Sequence, residues 1–301
     1  MKMKTYNFVW LLALVIVSCQ SEQRGAVKDV AAYTTTINDW HAKRIEELKG
    51  PSGWLNLAGL FWLNDGINTV GSSPTNSIVF PEGKAPGQLG YFLLKDGKVL
   101  FEAGPGIAVT ANDKPANRIF AFQPDSVPPK LRLGSLEWFI IKRDTKYGIR
   151  LRDFESQALG EFNGIERYPI DINVHLDAVF EPASGRTIPI TNVLGQTTDQ
   201  PSPGTLVFEL GGKEVRLDVL DEGGEDYFVI FGDATNAKET YGAGRYLYVD
   251  KPGEDGHTII DFNKAYNPPC AFTAFATCPL PPKQNIIDLG IRAGEKNFGH
   301  H

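Results

Sequence analysis

The side chains best suited to chemistry lie in the C-terminal third of this 301-residue sequence. Arg245 follows the flexible stretch Gly242-Ala243-Gly244, and an arginine can hold a carboxylate or a phosphate through two parallel hydrogen bonds. Asp261, Asn267 and Glu295 come later in the chain and offer acids, acceptors and donors beside such an anion. Prolines fix the backbone next to several of these residues, and polar side chains on a rigid, irregular backbone are typical of functional sites.

We predict that six polar side chains line one concave surface, with Pro268-Pro269 and Pro281-Pro282 as its walls. The six residues are Arg245, Tyr246, Asp261, Asn263, Asn267 and Glu295. The same residues suit a second role, because Asn and Asp also satisfy backbone groups in turns and at sheet edges. From the sequence, a binding site and a purely structural cluster are both open.

Two classes of function fit this group of residues. The first is non-catalytic binding of a small or anionic ligand or of a protein partner. The second is a hydrolase or lyase in which Asp261 or Glu295 acts as acid or base and Arg245 holds an anionic group. The sequence contains no G-x-S-x-G elbow, no H-E-x-x-H motif and no P-loop. We therefore favour binding, leave enzymatic activity open, and predict neither a metal nor a cofactor.

Three cysteines occur in the chain, at positions 19, 270 and 278. Cys270 and Cys278 permit three interpretations: a disulfide, a nucleophilic Cys270, or two buried free thiols. A disulfide would close a loop of about nine residues and contribute roughly 2–3 kcal/mol. A nucleophile would need a base, and His175 and His257 are the candidates for it.

The N-terminus has the pattern of a bacterial lipoprotein signal. Lys2 and Lys4 precede an apolar run from Phe8 to Val17, which is shorter than the about 20 residues of a membrane-spanning helix. The run ends in Ile16-Val17-Ser18-Cys19, which resembles a lipobox and implies cleavage before Cys19 and a lipid on its sulfur. We predict a signal peptide over residues 1–18 and a polar tether over residues 19–28.

The predicted lipid anchor and the charge of the chain together suggest where the protein works. The net charge of −6 makes a nucleic acid an unfavourable partner, because its phosphates would be repelled. An acidic body adds nothing to binding at an anionic lipid surface, so the acyl chains would hold the protein at the membrane. We predict a location in the bacterial cell envelope, at the outer membrane or facing the periplasm.

The elements that must position these residues are mostly strands. The 31 Gly and 20 Pro exceed average usage and disfavour a helical bundle. Tyr33, Ile37, Trp40 and Leu48 form one apolar stripe, which predicts a helix over Asp29–Lys49 within residues 29–52. Beyond it, period-two patterning predicts two β-rich, sandwich- or barrel-like blocks over residues 53–160 and 161–301, and hence a mainly β fold.

One predicted strand, Ile170–Phe180, alternates more regularly than the others. Its polar face would carry Asp171, Asn173, His175 and Asp177. These four could bind a metal only with a further ligand. The simpler interpretation is the polar face of a half-buried antiparallel strand.

Several motifs resemble a known family. They read GWLNLAGLFWL, YGIRLRD, ETYGAGRYL, DFNKAYNPPCAFTAFATCPLPP and AGEK, between Gly53 and Lys296. This pattern closely resembles the bacterial domain-of-unknown-function 1684 family, over nearly the whole chain after the tether. The resemblance implies no particular activity. Leu63–Lys142 is also similar in layout to a forkhead-associated β-sandwich, but the Ser-Arg-x-His element that reads phosphothreonine has no counterpart near Gly87–Tyr91, so phosphopeptide binding is not implied.

Overall fold

The structure, a computed structural model, describes residues 24–299 of the chain. The predicted signal peptide and Cys19 lie outside the described residues, as do the first residues of the predicted tether. Among the described helices, none combines the length and the hydropathy that a membrane span requires.

Helix α1 (Val30–Lys49) opens the described fold. Asp29 caps its N-terminus by accepting a hydrogen bond from the Ala32 amide at 3.0 Å. The helix ends at Gly50, whose N–H donates to two carbonyls of the last turn. Ile37 and Leu48 are fully buried, which confirms the predicted helix and its buried stripe.

Two sheets that face each other across one apolar core form the part of the fold after α1. Within residues 57–153 the strands are β1 (Leu57–Trp62), β2 (Gly66–Gly71), β3 (Ile78–Val79), β4 (Gly90–Lys95), β5 (Lys98–Ala103), β6 (Thr110–Ala111), β7 (Lys114–Pro115), β8 (Arg118–Phe122), β9 (Leu131–Leu133), β10 (Leu136–Arg143) and β11 (Lys146–Asp153). One sheet has the order β1-β11-β10-β9-β6-β7 and the other β3-β2-β4-β5-β8.

Strand β11 separates the core of these two sheets from the rest of the molecule. Ile149 and Leu151 point into the core, where Trp138 packs edge-on against Phe80 with ring centroids 5.5 Å apart. The intervening Arg150 and Arg152 lie on the opposite face of the strand, as period two requires. That face is turned toward the end of α1 and the second group of sheets.

A short helix, α2 (Gln157–Glu161), leads to the second group. Its strands within residues 175–287 are β12 (His175–Pro182), β13 (Thr187–Thr191), β14 (Thr197–Pro201), β15 (Gly204–Leu210), β16 (Lys213–Val219), β17 (Asp226–Asp233), β18 (Arg245–Asp250), β19 (His257–Asp261) and β20 (Ile286–Ile287). They form a four-stranded sheet β16-β15-β12-β19, a hairpin β13-β14 and a three-stranded sheet β18-β17-β20. Single 3₁₀ turns lie at Ile172–Val174, Phe262–Lys264, Pro269–Ala271 and Lys283–Asn285.

Apolar side chains cover both faces of the β17-β18 pair. Phe231 and Leu247 pack toward the four-stranded sheet together with Phe262. Phe228 and Tyr246 pack on the other side, against the hairpin β13-β14 and the segment that contains Cys278. The C-terminal segment is therefore part of the core and not an appendage.

Strand accounts for 42% of the described residues and helix for 13%. This confirms the predicted mainly β fold with one N-terminal helix. The described sheets remain open and do not close into a barrel.

The strand predicted over Ile170–Phe180 begins later than the sequence pattern indicates. Asp171 accepts a hydrogen bond from the Asn173 amide and caps a 3₁₀ turn over Ile172–Val174. Strand β12 starts at His175, so Asp171 and Asn173 do not share a strand face with His175. Across residues 24–299 there is no group of three or more His, Cys, Asp or Glu side chains arranged to hold a metal ion.

Candidate functional site

The six residues predicted to line one surface are all buried. Their exposed fractions are Arg245 0%, Glu295 0%, Asn267 0%, Asn263 3%, Tyr246 4% and Asp261 7%. Most of their polar atoms are already bonded within the protein. Five of them belong to three hydrogen-bonded groups, of which the first two are in contact through the Glu295 carbonyl, which accepts from Arg245 at 3.4 Å. The sixth, Tyr246, is the one that lines a cleft.

The first group surrounds Arg245, at the start of β18. Its guanidinium forms an ion pair with Asp233 at 2.7 Å and donates to the carbonyls of Ala293 and Ile291. Asp233 also accepts hydrogen bonds from the amide and the hydroxyl of Thr235. Arg245 thus ties the C-terminal segment to the end of β17, and its charge is compensated inside the protein.

The second group joins α1 to the C-terminal motif. Glu295 accepts hydrogen bonds from the Asn267 amide at 2.7 Å and from Arg44 Nε at 3.2 Å. Arg44 also donates to the Asn267 carbonyl at 3.0 Å, while the Asn267 side chain donates to the Lys296 carbonyl. Burial raises the pKa of the Glu295 carboxyl, against the opposing effects of Arg44 and of the Asn267 amide.

The third group connects the first turn of α1 to the end of β19. The Tyr33 hydroxyl donates to Asp261 at 2.9 Å and accepts from the Asn263 side chain at 2.8 Å. Asn263 in turn bonds both backbone groups of Asp171. Asp261 is the last residue of β19 and caps the 3₁₀ turn after it, so Asp261 and Asn263 are not on one strand face as the sequence suggested.

These contacts show why the sequence pattern was ambiguous. A buried carboxylate or guanidinium must be paired and hydrogen-bonded, and such groups look like site residues in a sequence. In the alternative of a hydrolase or lyase, the acid or base would be Asp261 or Glu295, and both are buried. Arg245, which would hold the anionic group, is itself buried and paired with Asp233.

A cleft of about 400 Å³ opens where α1, the first group of sheets and the C-terminal motif meet. Its volume lies in the range of small-molecule sites, which is roughly 300–1,000 Å³. The lining residues are Arg44, Trp54, Arg143, Arg150, Glu222, Phe228, Tyr246, Tyr248, Tyr266, Pro269, Ala276, Thr277, Cys278 and Pro279. The cleft therefore combines aromatic rings, arginines and the proline-rich motif.

Arg150 is a half-buried cation in this cleft, and among the described residues it lacks a carboxylate partner, as does the exposed Arg143. Its guanidinium carbon lies 5.8 Å from the centre of the Trp54 ring, and its Nε is buried with no hydrogen-bond partner. Burial, together with the positive charges of Arg143 and Arg152, lowers the pKa of Arg150 to about 10. Within residues 24–299 neither Arg143 nor Arg150 pairs with a carboxylate.

Three tyrosines form the wall opposite these arginines. Tyr246 packs edge-on against Tyr266 at 5.8 Å, and Tyr248 stacks on Tyr266 at 6.2 Å. The Tyr246 hydroxyl donates to the Pro279 carbonyl, and the Tyr248 hydroxyl donates to Glu222 at the rim. Burial raises the pKa of Tyr246, Tyr248 and Tyr266, so these phenols stay neutral donors.

The proline-rich motif supplies the floor and is held by a disulfide between Cys270 and Cys278. The disulfide corresponds to one of the three interpretations of these cysteines, and it leaves neither of them as a free nucleophile. Pro269 and Pro279 line the cleft on either side of it, whereas Pro281-Pro282, predicted as a second wall, does not. The family motif thus shapes one side of the cleft.

Sequence reasoning missed Arg44 and Arg150, although both had a signal. Arg44 completes the apolar stripe of α1 at the position between Trp40 and Leu48, where a charged residue breaks the pattern. In the structure it is 13% exposed and lies 4.6 Å from the Tyr266 ring centre. Arg150 alternates with core residues on β11. Arg152 follows the same alternation but donates to the backbone of the α1–β1 loop, so the sequence pattern alone could not distinguish the two arginines.

Residues 160–296 match the profile of the family described as "Protein of unknown function (DUF1684)". The match confirms the resemblance that the motifs indicated, over the second group of sheets and the C-terminal motif. No curated protein matches the chain.

Solved structures with similarity to the chain include an uncharacterised Haloarcula marismortui protein determined by solution NMR. It is 25% identical, covers 46% of this chain and 78% of its own, and gives a TM-score of 0.39. The FhaA FHA domain, solved in a complex, is 14% identical, with 31% of this chain and 97% of its own covered and a TM-score of 0.23. An FHA domain from work on phosphothreonine-dependent interactions gives the same identity and TM-score and covers 92% of its own chain. We transfer no ligand and no activity from these proteins.

Proposed function

We propose that this chain, a member of the DUF1684 family over residues 160–296, is a lipid-anchored protein of the bacterial cell envelope that binds a small anionic ligand. The binding site is the cleft that Arg150 lines between α1, β11 and the proline-rich motif. The anchor rests on the N-terminal sequence pattern. The ligand class rests on the geometry of the cleft.

The observation that carries the proposal is the uncompensated charge of Arg150. A half-buried guanidinium costs free energy unless an anion or a hydrogen-bond acceptor compensates it. Arg245 shows how this protein compensates such a charge internally, with Asp233 and main-chain carbonyls. Arg150 instead faces Trp54 and a second arginine, Arg143, so an external anion would complete its surroundings.

The chemistry of the cleft suits a ligand that carries an anionic group beside an apolar or flat part. Arginine binds carboxylate and phosphate groups with two parallel donors. Arg44 is already paired with Glu295, and Glu222 is held by Tyr248. Arg143 and Arg150 therefore outweigh Glu222 in the cleft, and the aromatic wall offers rings for stacking.

Titration of the purified protein with inorganic phosphate, pyrophosphate and citrate tests the anion site. We expect at least one of these probes to raise the melting temperature, because a ligand that binds the native state stabilises it. Arg150→Ala should weaken that binding by about 10- to 100-fold, the usual worth of a charged hydrogen-bonded contact.

Lys146→Ala is the matched control for charge, because Lys146 is exposed and lies on the same strand. It should bind each probe as the wild-type protein does. Arg150→Lys keeps the charge and removes the planar fork, so it should recover part of the affinity. If the three anions bind equally to Arg150→Ala and to the wild type, or bind to neither, the proposed anion site is wrong.

A further inference from the structure

We infer that the ligand is an acidic saccharide, with its anionic group at Arg150 and its sugar rings in a neighbouring groove along the hairpin β13-β14. This inference rests on the proposed anion site and extends it from one charged group to a ligand class. The groove has a volume of about 520 Å³ and adjoins the cleft. Arg143, Glu222, Phe228, Thr277 and Pro279 line both, so the two form one continuous channel.

The charge distribution along this channel assigns the anionic group to one end. Arg150 lines the cleft but not the groove, where the cations Lys142 and Arg143 are matched by the carboxylates of Asp144, Asp221 and Glu222. Asp221 is paired with Lys251 at 3.4 Å, which leaves two cations and two carboxylates in the groove. The groove therefore has no net positive charge to attract a second anionic group, and it favours a neutral, polar part of the ligand.

The hairpin side chains in the groove can donate hydrogen bonds to the hydroxyl groups of a sugar and accept hydrogen bonds from them. Thr198 and Gln200 lie on the inner face of β14, and Gln196 precedes that strand. The Gln200 amide donates to Thr198 at 3.0 Å, and Gln196 Oε1 accepts from Asn192 at 3.0 Å. The Gln200 carbonyl and the Gln196 amide N–H groups remain for a ligand, as one acceptor and one donor site, and a sugar hydroxyl can use both.

The floor of the groove is apolar and fixed. Ile190, Leu220 and Phe228 belong to one buried cluster, with exposed fractions of 5%, 6% and 5%. A sugar ring has hydroxyls at its edge and C–H groups on its faces, so neutral amides around an apolar floor match it. An extended peptide would instead seek unpaired strand edges for its main chain. The groove is lined by Ile190, Thr198 and Gln200, whose side chains share one face of the hairpin β13-β14.

Calorimetric titration of the purified full chain tests the ligand class with five probes. Glucose 6-phosphate and glucuronate are acidic saccharides with one anionic group each, maltotriose is a neutral saccharide, inorganic phosphate is the anion alone, and triglutamate is an acidic peptide. We expect an acidic saccharide to bind at least about tenfold more tightly than inorganic phosphate, the worth of about two neutral hydrogen bonds. Maltotriose, which lacks the anionic group, should bind more weakly than that acidic saccharide.

The double variant Gln196→Ala/Gln200→Ala separates the two ends of the channel. In this variant the acidic saccharide should no longer bind more tightly than phosphate, and phosphate should bind with the wild-type affinity. Thr187→Ala is the matched control, because Thr187 is exposed on the opposite face of the same hairpin, and it should behave as wild type.

The outcomes distinguish this inference from the proposed anion site. If phosphate binds in an Arg150-dependent manner and no acidic saccharide binds more tightly, the saccharide assignment is wrong and the anion site stands. The same holds if triglutamate alone binds more tightly than phosphate. If Arg150→Ala leaves the binding of every probe unchanged, the anion site fails, and the saccharide inference fails with it.

Discussion

The two sides of the proline-rich motif use arginine in opposite ways. Behind the motif, Arg245 is fully buried and its charge is compensated by Asp233 and by main-chain carbonyls. In front of it, Arg150 faces an aromatic wall and a second arginine without a carboxylate partner in residues 24–299. Arg245 has its counter-charge inside the fold, whereas Arg150 has none among the described residues.

This difference shows that the partners of a charged side chain in the fold, and not its neighbours in sequence, determine whether its charge is compensated. Arg245 lies in the motif ETYGAGRYL and is structural in its contacts. Arg150 lies in an ordinary amphipathic strand and carries the uncompensated charge. In this molecule the motif residues hold the wall of the cleft, and residues from other segments face its interior.

Replacement of Arg245 should have the largest effect on stability. Arg245→Met keeps most of the side-chain volume and leaves Asp233 buried without its counter-ion. Removing one partner of a buried ion pair costs about 3–5 kcal/mol. We expect the midpoint of urea unfolding, followed by circular dichroism, to fall accordingly.

The control for this variant is Arg216→Met, because Arg216 forms exposed ion pairs with Glu181 and Glu214. Exposed pairs contribute about 0–1 kcal/mol, so its midpoint should move little. Equal losses in the two variants would mean that the Arg245 group does not differ from surface electrostatics.

Loss of the disulfide should have the next largest effect. Cys270→Ala/Cys278→Ala opens a loop of about nine residues and should lower the free energy of unfolding by about 2–3 kcal/mol. The variant should also bind anions more weakly, because Pro269 and Pro279 on either side of the disulfide line the cleft. Thermal unfolding with and without dithiothreitol provides the measurement.

The reductant should lower the melting temperature of the wild type and leave that of the double alanine variant unchanged. A wild type that melts at the same temperature in both conditions would show that the disulfide adds no stability.

Local patterns were enough to predict much of the fold. The stripe that contains Ile37 and Leu48 predicted α1, and period-two patterning predicted the mainly β fold. The start of β12 was wrong because the Asp171 side chain caps a turn. That local hydrogen bond competes with strand pairing and leaves the alternating pattern intact.

The site was harder to predict because its residues come from distant segments. Arg44, Arg150 and Tyr266 line one cleft, and nothing in their local sequence shows that these three segments meet. Of the six predicted residues, Tyr246 is the one that reaches the cleft, and it does so with its ring while its hydroxyl is bonded to Pro279. The sequence reasoning therefore selected polar residues that the fold buries together with their hydrogen-bond partners.

Replacement of Arg150 by an apolar residue should stabilise the protein while it removes the anion site. Arg150→Met eliminates an uncompensated charge and keeps contact with Trp54, so we expect unfolding to require about 0.5–2 kcal/mol more, in the range of single stabilising substitutions. Phosphate binding should be lost in the same variant. Urea unfolding and phosphate titration measure the two effects side by side.

Arg150→Lys is the comparison for this prediction, because it retains a charge at the same place and should give no such gain. A destabilised Arg150→Met protein would show that the fold, and not a ligand, compensates Arg150.

The smallest expected effect concerns the pH dependence of stability at His41, which lies on α1 beside Arg44. His41 Nε2 is buried without a hydrogen-bond partner. Burial, with the positive charges of Arg167 and Arg44, lowers the pKa of His41 from its usual value of 6.5. The unfolded chain therefore binds a proton at His41 at a higher pH than the native protein does. The free energy of unfolding should therefore be unaffected by His41 above pH 6.5 and should decline as the pH falls below it, by at most about 1.4 kcal/mol per pH unit for one proton.

His41→Gln should remove this part of the decline and match the wild-type slope above neutral pH, as measured by urea unfolding in a series of buffers. Parallel slopes of the two proteins across the whole series would show that His41 takes up its proton equally in both states, and that the arginines of α1 and its neighbours do not reach it.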